Sequence, residues 1–181
     1  MALNIKIDFE NRYEASLLGN DIRFSIFESI LIDGATAKLG IKISTEEHPY
    51  MLDVYNLAFG PLNDELQIDD RARLTHQDHS KVFSTIVFSG LSFLTEHSEK
   101  YLGIDGSNTA RAYMYYRCIQ NNFDYLDSFF TIYGVNYYLR VLRDGSNDYD
   151  PEDLLAFPEA VVKGESISPK KLFNYFIFKL K

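Results

Sequence analysis

The chain has 181 residues, 46% hydrophobic and 24% charged, with a formal net charge of -8. Such a length and apolar content exclude wholesale disorder and allow one well-buried core. One cysteine, Cys118, excludes an intramolecular disulfide, and the acid excess argues against a uniformly basic nucleic-acid binder.

The opening MALNIKIDFE carries charge from Lys6 onward and lacks the apolar stretch of a secretory signal. Its Ile5, Ile7 and Phe9 alternate with Lys6 and Asp8, which predicts a strand. Ile22, Phe24 and Ile26 alternate with Arg23 and Ser25 and predict a second. Asp33-Gly34 marks a type I′ hairpin turn, with Leu39, Ile41 and Ile43 on the return strand. His48-Pro49 interrupts the pattern. Residues 51–59 then read as a strand closed by Gly60-Pro61.

The clearest helix runs over 80–97, where Val82, Phe83, Ile86, Val87, Gly90, Leu91 and Leu94 recur at helical spacing. Asp78 is its predicted N-cap. The uncharged run 82–95 is too short for a bilayer, which takes roughly 20 residues, and it is rich in Ser and Thr. It reads as a helix buried in protein. The expectation is therefore a soluble, cytoplasmic chain with no membrane partner.

A short strand over 101–105 leads into a second helix over 109–120 that ends near Asn121-Asn122. Two strands, 129–133 and 135–142, are predicted around Gly134, and 172–180 suits a last strand. Between them, 144–169 reads as an irregular acidic loop with one helical turn near 151–156. The sum is one α+β domain over 1–181: an antiparallel sheet of about six to eight strands with two main helices.

Chemistry concentrates at the strand-to-helix junction GSNTAR. A helix start carries free N–H groups and a positive dipole end, which attract anions. Ser107, Asn108 and Thr109 add polar donors, and Arg111 adds a planar fork suited to phosphate or carboxylate. Tyr115 lies on the face of Arg111, one turn on, whereas Arg117 lies on another. Lys81 and Asp78 are candidates to approach from the neighbouring helix. The alternative is that Ser107 or Asn108 simply caps the helix and Arg111 stacks on Tyr115 or pairs with an acid.

Other constellations are incomplete. GSNTAR is similar to the opening of nucleotidyltransferase active sites, but the paired acids that would bind magnesium do not follow it. His76, Asp78 and His79 are close in sequence but lack further ligands, since a stable site needs three or four. They suit a polar loop that caps the long helix. The run 144–150 places oxygens as calcium loops do, yet Leu155 stands where a bidentate Glu is required. Cys118 has no neighbouring base to activate it. No metal and no cofactor is implied. The tyrosines at 113, 115, 116, 137 and 138 could stack bases, although aromatic packing is the commoner use.

Four stretches, FESILIDGATAKLGIKI, YNLAFGPLNDELQIDD, HQDHSKVFSTIVFSGLSFLTEH and IDGSNTARAYMYYRCI, carry a family resemblance over roughly residues 25–142. Together they resemble a bacterial family of unknown function, frequent in the Bacteroidota. The family pattern falls on Tyr55 to Gly60, on Asp78 and Lys81-Val82, and on Gly106 to Arg111. Asn108 replaces an expected threonine, and Ala112-Tyr113 replaces a threonine-arginine pair, so one basic residue beside Arg111 is absent. The resemblance implies an intracellular α+β domain and supplies no reaction.

Two functions follow as expectations. One is a binding module acting through a protein or nucleic-acid partner, within a defence or toxin-antitoxin type of operon. The other is an enzyme or sensor for a nucleotide or other phosphate-bearing ligand at GSNTAR. The abundant aromatics also suit a homodimer face. Charge is unevenly spread: seven acids and no Lys or Arg lie between 46 and 70, and seven acids against Lys163 between 144 and 165. The remainder is net positive and contains Arg111, so a local anion site is compatible with an acidic chain.

Overall fold

A computed structural model describes residues 4–19, 22–69, 74–106, 108–136, 158–166 and 172–181. Among the described residues, eight strands form one sheet in the order β1-β2-β3-β4-β5-β8-β6-β7. They are β1 (Ser16–Leu17), β2 (Phe24–Ile30), β3 (Thr36–Glu47), β4 (Val54–Pro61), β5 (Tyr101–Asp105), β6 (Phe130–Val135), β7 (Glu159–Ala160) and β8 (Tyr175–Leu180). The helices among the described residues are α1 (His79–Glu96), α2 (Thr109–Asn121) and α3 (Phe123–Asp127). The fold is α+β. All neighbouring strands are antiparallel except β4 and β5, which are parallel and joined through α1. A parallel pair needs such a crossover, and α1 supplies it.

Helix α1 begins as its sequence demands, with Asp78 accepting a hydrogen bond from the Lys81 N–H at 2.9 Å. Its Val82, Ile86, Phe93 and Leu94 are buried in the main core with Phe27, Leu39, Ile41 and Leu57 of the sheet. Strand β8 lies inside the sheet and is buried on both faces. Phe176 and Phe178 join the main core, while Tyr175 and Ile177 pack with Met51, Val54 and Val135 in a second cluster. Among the described residues, no helix is long and apolar enough to cross a membrane.

The stretch from Ile5 to Phe9 departs from its predicted strand. Its apolar residues are buried, at 2%, 2% and 5% exposure for Ile5, Ile7 and Phe9, but it joins no ladder. Side chains of the helices receive its backbone instead. Ser80 accepts from Lys6 N–H, Asn122 from Ile7, Ser84 from Asp8 and Tyr125 from Phe9. Alternation determined which residues are buried; the polar partners came from elsewhere in the chain.

Other differences are local. The β2–β3 turn has a positive φ only at Gly34 (84°), not at Asp33, and Gly34 N–H donates to the Leu31 carbonyl at 2.9 Å. It is a three-residue loop, not a type I′ turn. Strand β2 buries Ser25, Phe27 and Ser29, leaving Phe24 and Ile26 half-buried on the other face. β4 continues through Gly60-Pro61, and β6 runs through Gly134 as one strand. A Pro is tolerated where a strand ends. The short β1, β7 and α3 are additional to the predicted elements. The predicted strand portion over 137–142, the calcium-like run 144–150 and the helical turn at 151–156 lie outside the described residues.

Candidate functional site

The site is built where β5 hands over to α2. Gly106 follows Asp105, and a Cβ there would stand 2.6 Å from the Ala112 Cα, so only glycine lets strand and helix approach this closely. Asn108 then caps α2, its Oδ1 accepting from Arg111 N–H at 3.0 Å. The cap occupies one of the free amides that would otherwise attract an anion. Asn108 and Thr109 are exposed, and Ser107 lies outside the described residues.

Arg111 and Tyr115, one turn apart, share a different environment. Both line a cavity of about 190 Å³ between α2, the start of α1 and the β2–β4 part of the sheet. Phe27, Leu39, Phe59, Phe83 and Met114 supply its apolar wall. Asp69 and His76 add polar groups. The Tyr115 ring stands 6.2 Å from that of Phe59, across the gap between helix and sheet.

The electrostatics of the cavity follow from burial. Desolvation pushes the Tyr115 phenol up to about 12; the Arg111 guanidinium opposes this, and Asp105 and Cys118 add to it. Tyr115 is therefore a neutral donor at ordinary pH. Burial also raises Asp105, with Arg111 pulling the other way. His76 is lowered by burial and by the nearby His79, and its Nδ1 lies 2.8 Å from the buried Ser29 hydroxyl. A guanidinium and a phenol, with Asp69 and His76 also on the lining, can donate to an acceptor-rich group in this recess.

The remaining candidates are placed elsewhere. Asp78 is occupied in capping α1. The Lys81 ammonium sits 4.6 Å from the centre of the Tyr13 ring and does not line the cavity. Arg117 is exposed and lies over Tyr113 at 6.0 Å. His76 and His79 stand ring to ring at 5.5 Å, and no three His, Cys, Asp or Glu among the described residues are grouped to hold a metal. Cys118 is buried, which pushes its thiol up to about 12.

A family model covers residues 10–149, more than half of the chain. The chain belongs to DUF6934, a family of unknown function. The DUF6934 region includes every described residue that lines the cavity, from Phe27 to Tyr115. No curated protein and no solved structure matches the chain.

Sequence reasoning paired Arg111 with Tyr115 but left Phe59, Asp69 and His76 out of the site. Phe59 was legible only as a strand residue, Asp69 as part of an acidic run and His76 as a poor metal ligand. Their meeting depends on how 61–76 returns from β4 to α1, and no local spacing encodes that.

Proposed function

We propose that this chain is a binding module for a small anionic ligand, a phosphate or carboxylate, held in the cavity beside α2. The supporting observation is that Arg111 and Tyr115, one helical turn apart, both line a recess walled mainly by apolar side chains, with Asp69 and His76 also on its lining. A guanidinium offers two parallel donors to such a group, and apolar walls strengthen the interaction by excluding water. At about 190 Å³ the recess is smaller than the roughly 300–1,000 Å³ of drug-sized pockets. A compact metabolite fits inside; a nucleotide would insert only one end. We assign binding and no reaction. A cytoplasmic setting belongs to the same proposal, supported by the single cysteine held buried as a thiol.

The test is a thermal-shift panel of inorganic phosphate, sugar phosphates, mononucleotides and small carboxylates on wild type, Arg111→Ala and Tyr115→Phe. A ligand at 100 times its Kd adds about 2.7 kcal/mol, which for this size raises Tm by roughly 5–10 °C. Arg111→Ala should abolish the shift, and Tyr115→Phe should weaken it several-fold. Silence of the wild type across the panel, or an equal response in Arg111→Ala, overturns the proposal.

A further inference from the structure

The recess beside Arg111 and Tyr115 does not stop at its apolar wall. A smaller void of about 40 Å³ lies behind it, between α1, α2 and the sheet. It shares Phe59, Phe83, Ile86 and Tyr115 with the recess. A third, of about 20 Å³, follows under α1 and shares Val87, Ile104 and Phe178 with the second. The three stand in a row from Arg111 at the mouth to Gly90 at the far end.

The chemistry changes along the row. The mouth carries Arg111, Tyr115, Asp69 and His76. The second void has only Tyr115 and Cys118 besides hydrocarbon, and apolar side chains and Gly90 line the third. Such apolar space stays dry, since a water needs roughly two to four polar partners. Gly90 keeps the far end open: a Cβ there would stand 3.1 Å from the Leu102 Cδ1 and 3.4 Å from the Leu57 Cδ1. The helix wall is compliant. Thr85, Ser89 and Ser92 donate to the carbonyls of Lys81, Thr85 and Phe88, a back-bonding pattern that weakens and bends helices. Phe83 and Val87, which line the voids, are only half-buried.

We infer that the ligand is a medium-chain aliphatic carboxylic acid, its carboxylate at Arg111 and its tail threading beneath α1 toward Gly90. This rests on the anion site proposed at Arg111 and Tyr115. A water-sized group needs about 10–15 Å³, so the two inner voids admit roughly four methylene groups with the walls as they stand. With the carboxylate and first carbons in the mouth, the fit is an acid of roughly six to eight carbons. The span agrees. Phe83 and Gly90 lie seven residues apart on α1. That is about 10 Å of helix, the reach of roughly eight extended bonds. A sugar phosphate or nucleotide would have to bury polar groups there without partners.

Titration calorimetry on the full chain with acetate, butyrate, hexanoate, octanoate, decanoate and inorganic phosphate tests this. Affinity should rise about three- to fourfold per added methylene as far as hexanoate, then level or fall by decanoate. Val87→Leu narrows the join between the inner voids, and Gly90→Ala fills the far end. Each should move the best length to a shorter acid and leave phosphate affinity unchanged, with thermal unfolding to show that the variant is folded. Arg111→Ala should weaken the whole series. Arg111-dependent binding of phosphate and acetate with no gain from chain length overturns the tail and leaves the anion site standing. A best length unchanged in both folded variants also overturns the tail. Length-dependent binding that survives Arg111→Ala, or no binding of any probe, overturns the anion site and the tail with it.

Discussion

Asn122 holds the N-terminal stretch as a strand would: its Oδ1 accepts from Ile7 N–H at 2.7 Å and its Nδ2 donates to the Ile5 carbonyl at 2.8 Å. The same Nδ2 reaches the Cys118 carbonyl one turn back, also at 2.8 Å. One amide side chain at the junction of α2 and α3 thus satisfies three backbone groups. Asn122 is itself only 7% exposed, so nothing else can replace those bonds.

Asn122→Ala should therefore lower stability by about 2–4 kcal/mol, since it leaves a buried N–H and carbonyl unpaired. For a chain of this size that is a fall of roughly 4–16 °C in Tm. Asn122→Asp should be at least as harmful, because it removes the donor that faces two carbonyls. Urea unfolding measures the loss, and hydrogen exchange at the Ile7 amide should accelerate in both variants. A loss below about 0.5 kcal/mol, the usual effect of a surface change, would remove this role from Asn122.

Gly103 lies beneath the Tyr175 side chain, which crosses it to donate to Asn56 Oδ1 at 3.3 Å. A Cβ at Gly103 would fall 1.8 Å from the Tyr175 hydroxyl. Tyr175 is buried at 2% exposure and has no room to swing away. Gly103→Ala should cost about 1–3 kcal/mol as overpacking. In a Tyr175→Ala background the same change should cost much less, because the clash is then gone. A double-mutant cycle by urea denaturation measures this coupling, and additive costs would contradict it.

His48, His76 and His79 all titrate below their ordinary 6.5, chiefly because burial penalises the charged form; His79 also lowers His76, while Asp78 opposes the shift at His79. Between the lowered folded values and 6.5 the unfolded chain binds more protons than the folded one. Their contribution to stability is thus complete above pH 6.5 and declines as pH falls through the folded values. Asp105 works in the opposite sense, since its folded carboxyl is raised above 3.8. The urea midpoint should drop between pH 7.5 and pH 5.5, and His76→Gln should make that drop shallower. A midpoint that is flat over this range contradicts the reading.

Cys118 should be chemically quiet in the folded chain. Its thiol is 9% exposed and pushed up to about 12, so little thiolate exists at pH 8. A disulfide reagent should label it slowly under native conditions and within seconds in strong guanidinium. Rapid native labelling would mean that α2 opens far more often than its packing against Leu126 and Phe176 in the core suggests.

Much of the site was legible in sequence, and its limits have physical causes. Asp78 as the cap of α1 and Tyr115 as the neighbour of Arg111 follow from spacings of three and four residues, which a helix converts directly into contact. GSNTAR singled out this junction through its polar residues. Asn108 caps there, and only the Arg111 side of the helix opens to a cavity. The second helix reads as ending near Asn121-Asn122, with no element of its own over 123–127. Asn122 is there to bind Ile5 and Ile7 instead, a use set by residues 115 and more positions away.

By itself, the sequence determined the α+β class, both long helices, most strands and the burial of Ile5, Ile7 and Phe9. These rest on periodicity and capping, which act over a few residues. Only the tertiary structure decided that Ile5 to Phe9 pairs with helix side chains and that Ser25, Phe27 and Ser29 form the inner face of β2. It also brought Phe59, Asp69, His76, Arg111 and Tyr115 around one cavity. Those outcomes depend on which distant surfaces meet. The alternation within a strand marks its two faces, but the packing of α1 and α2 chooses which of them is covered.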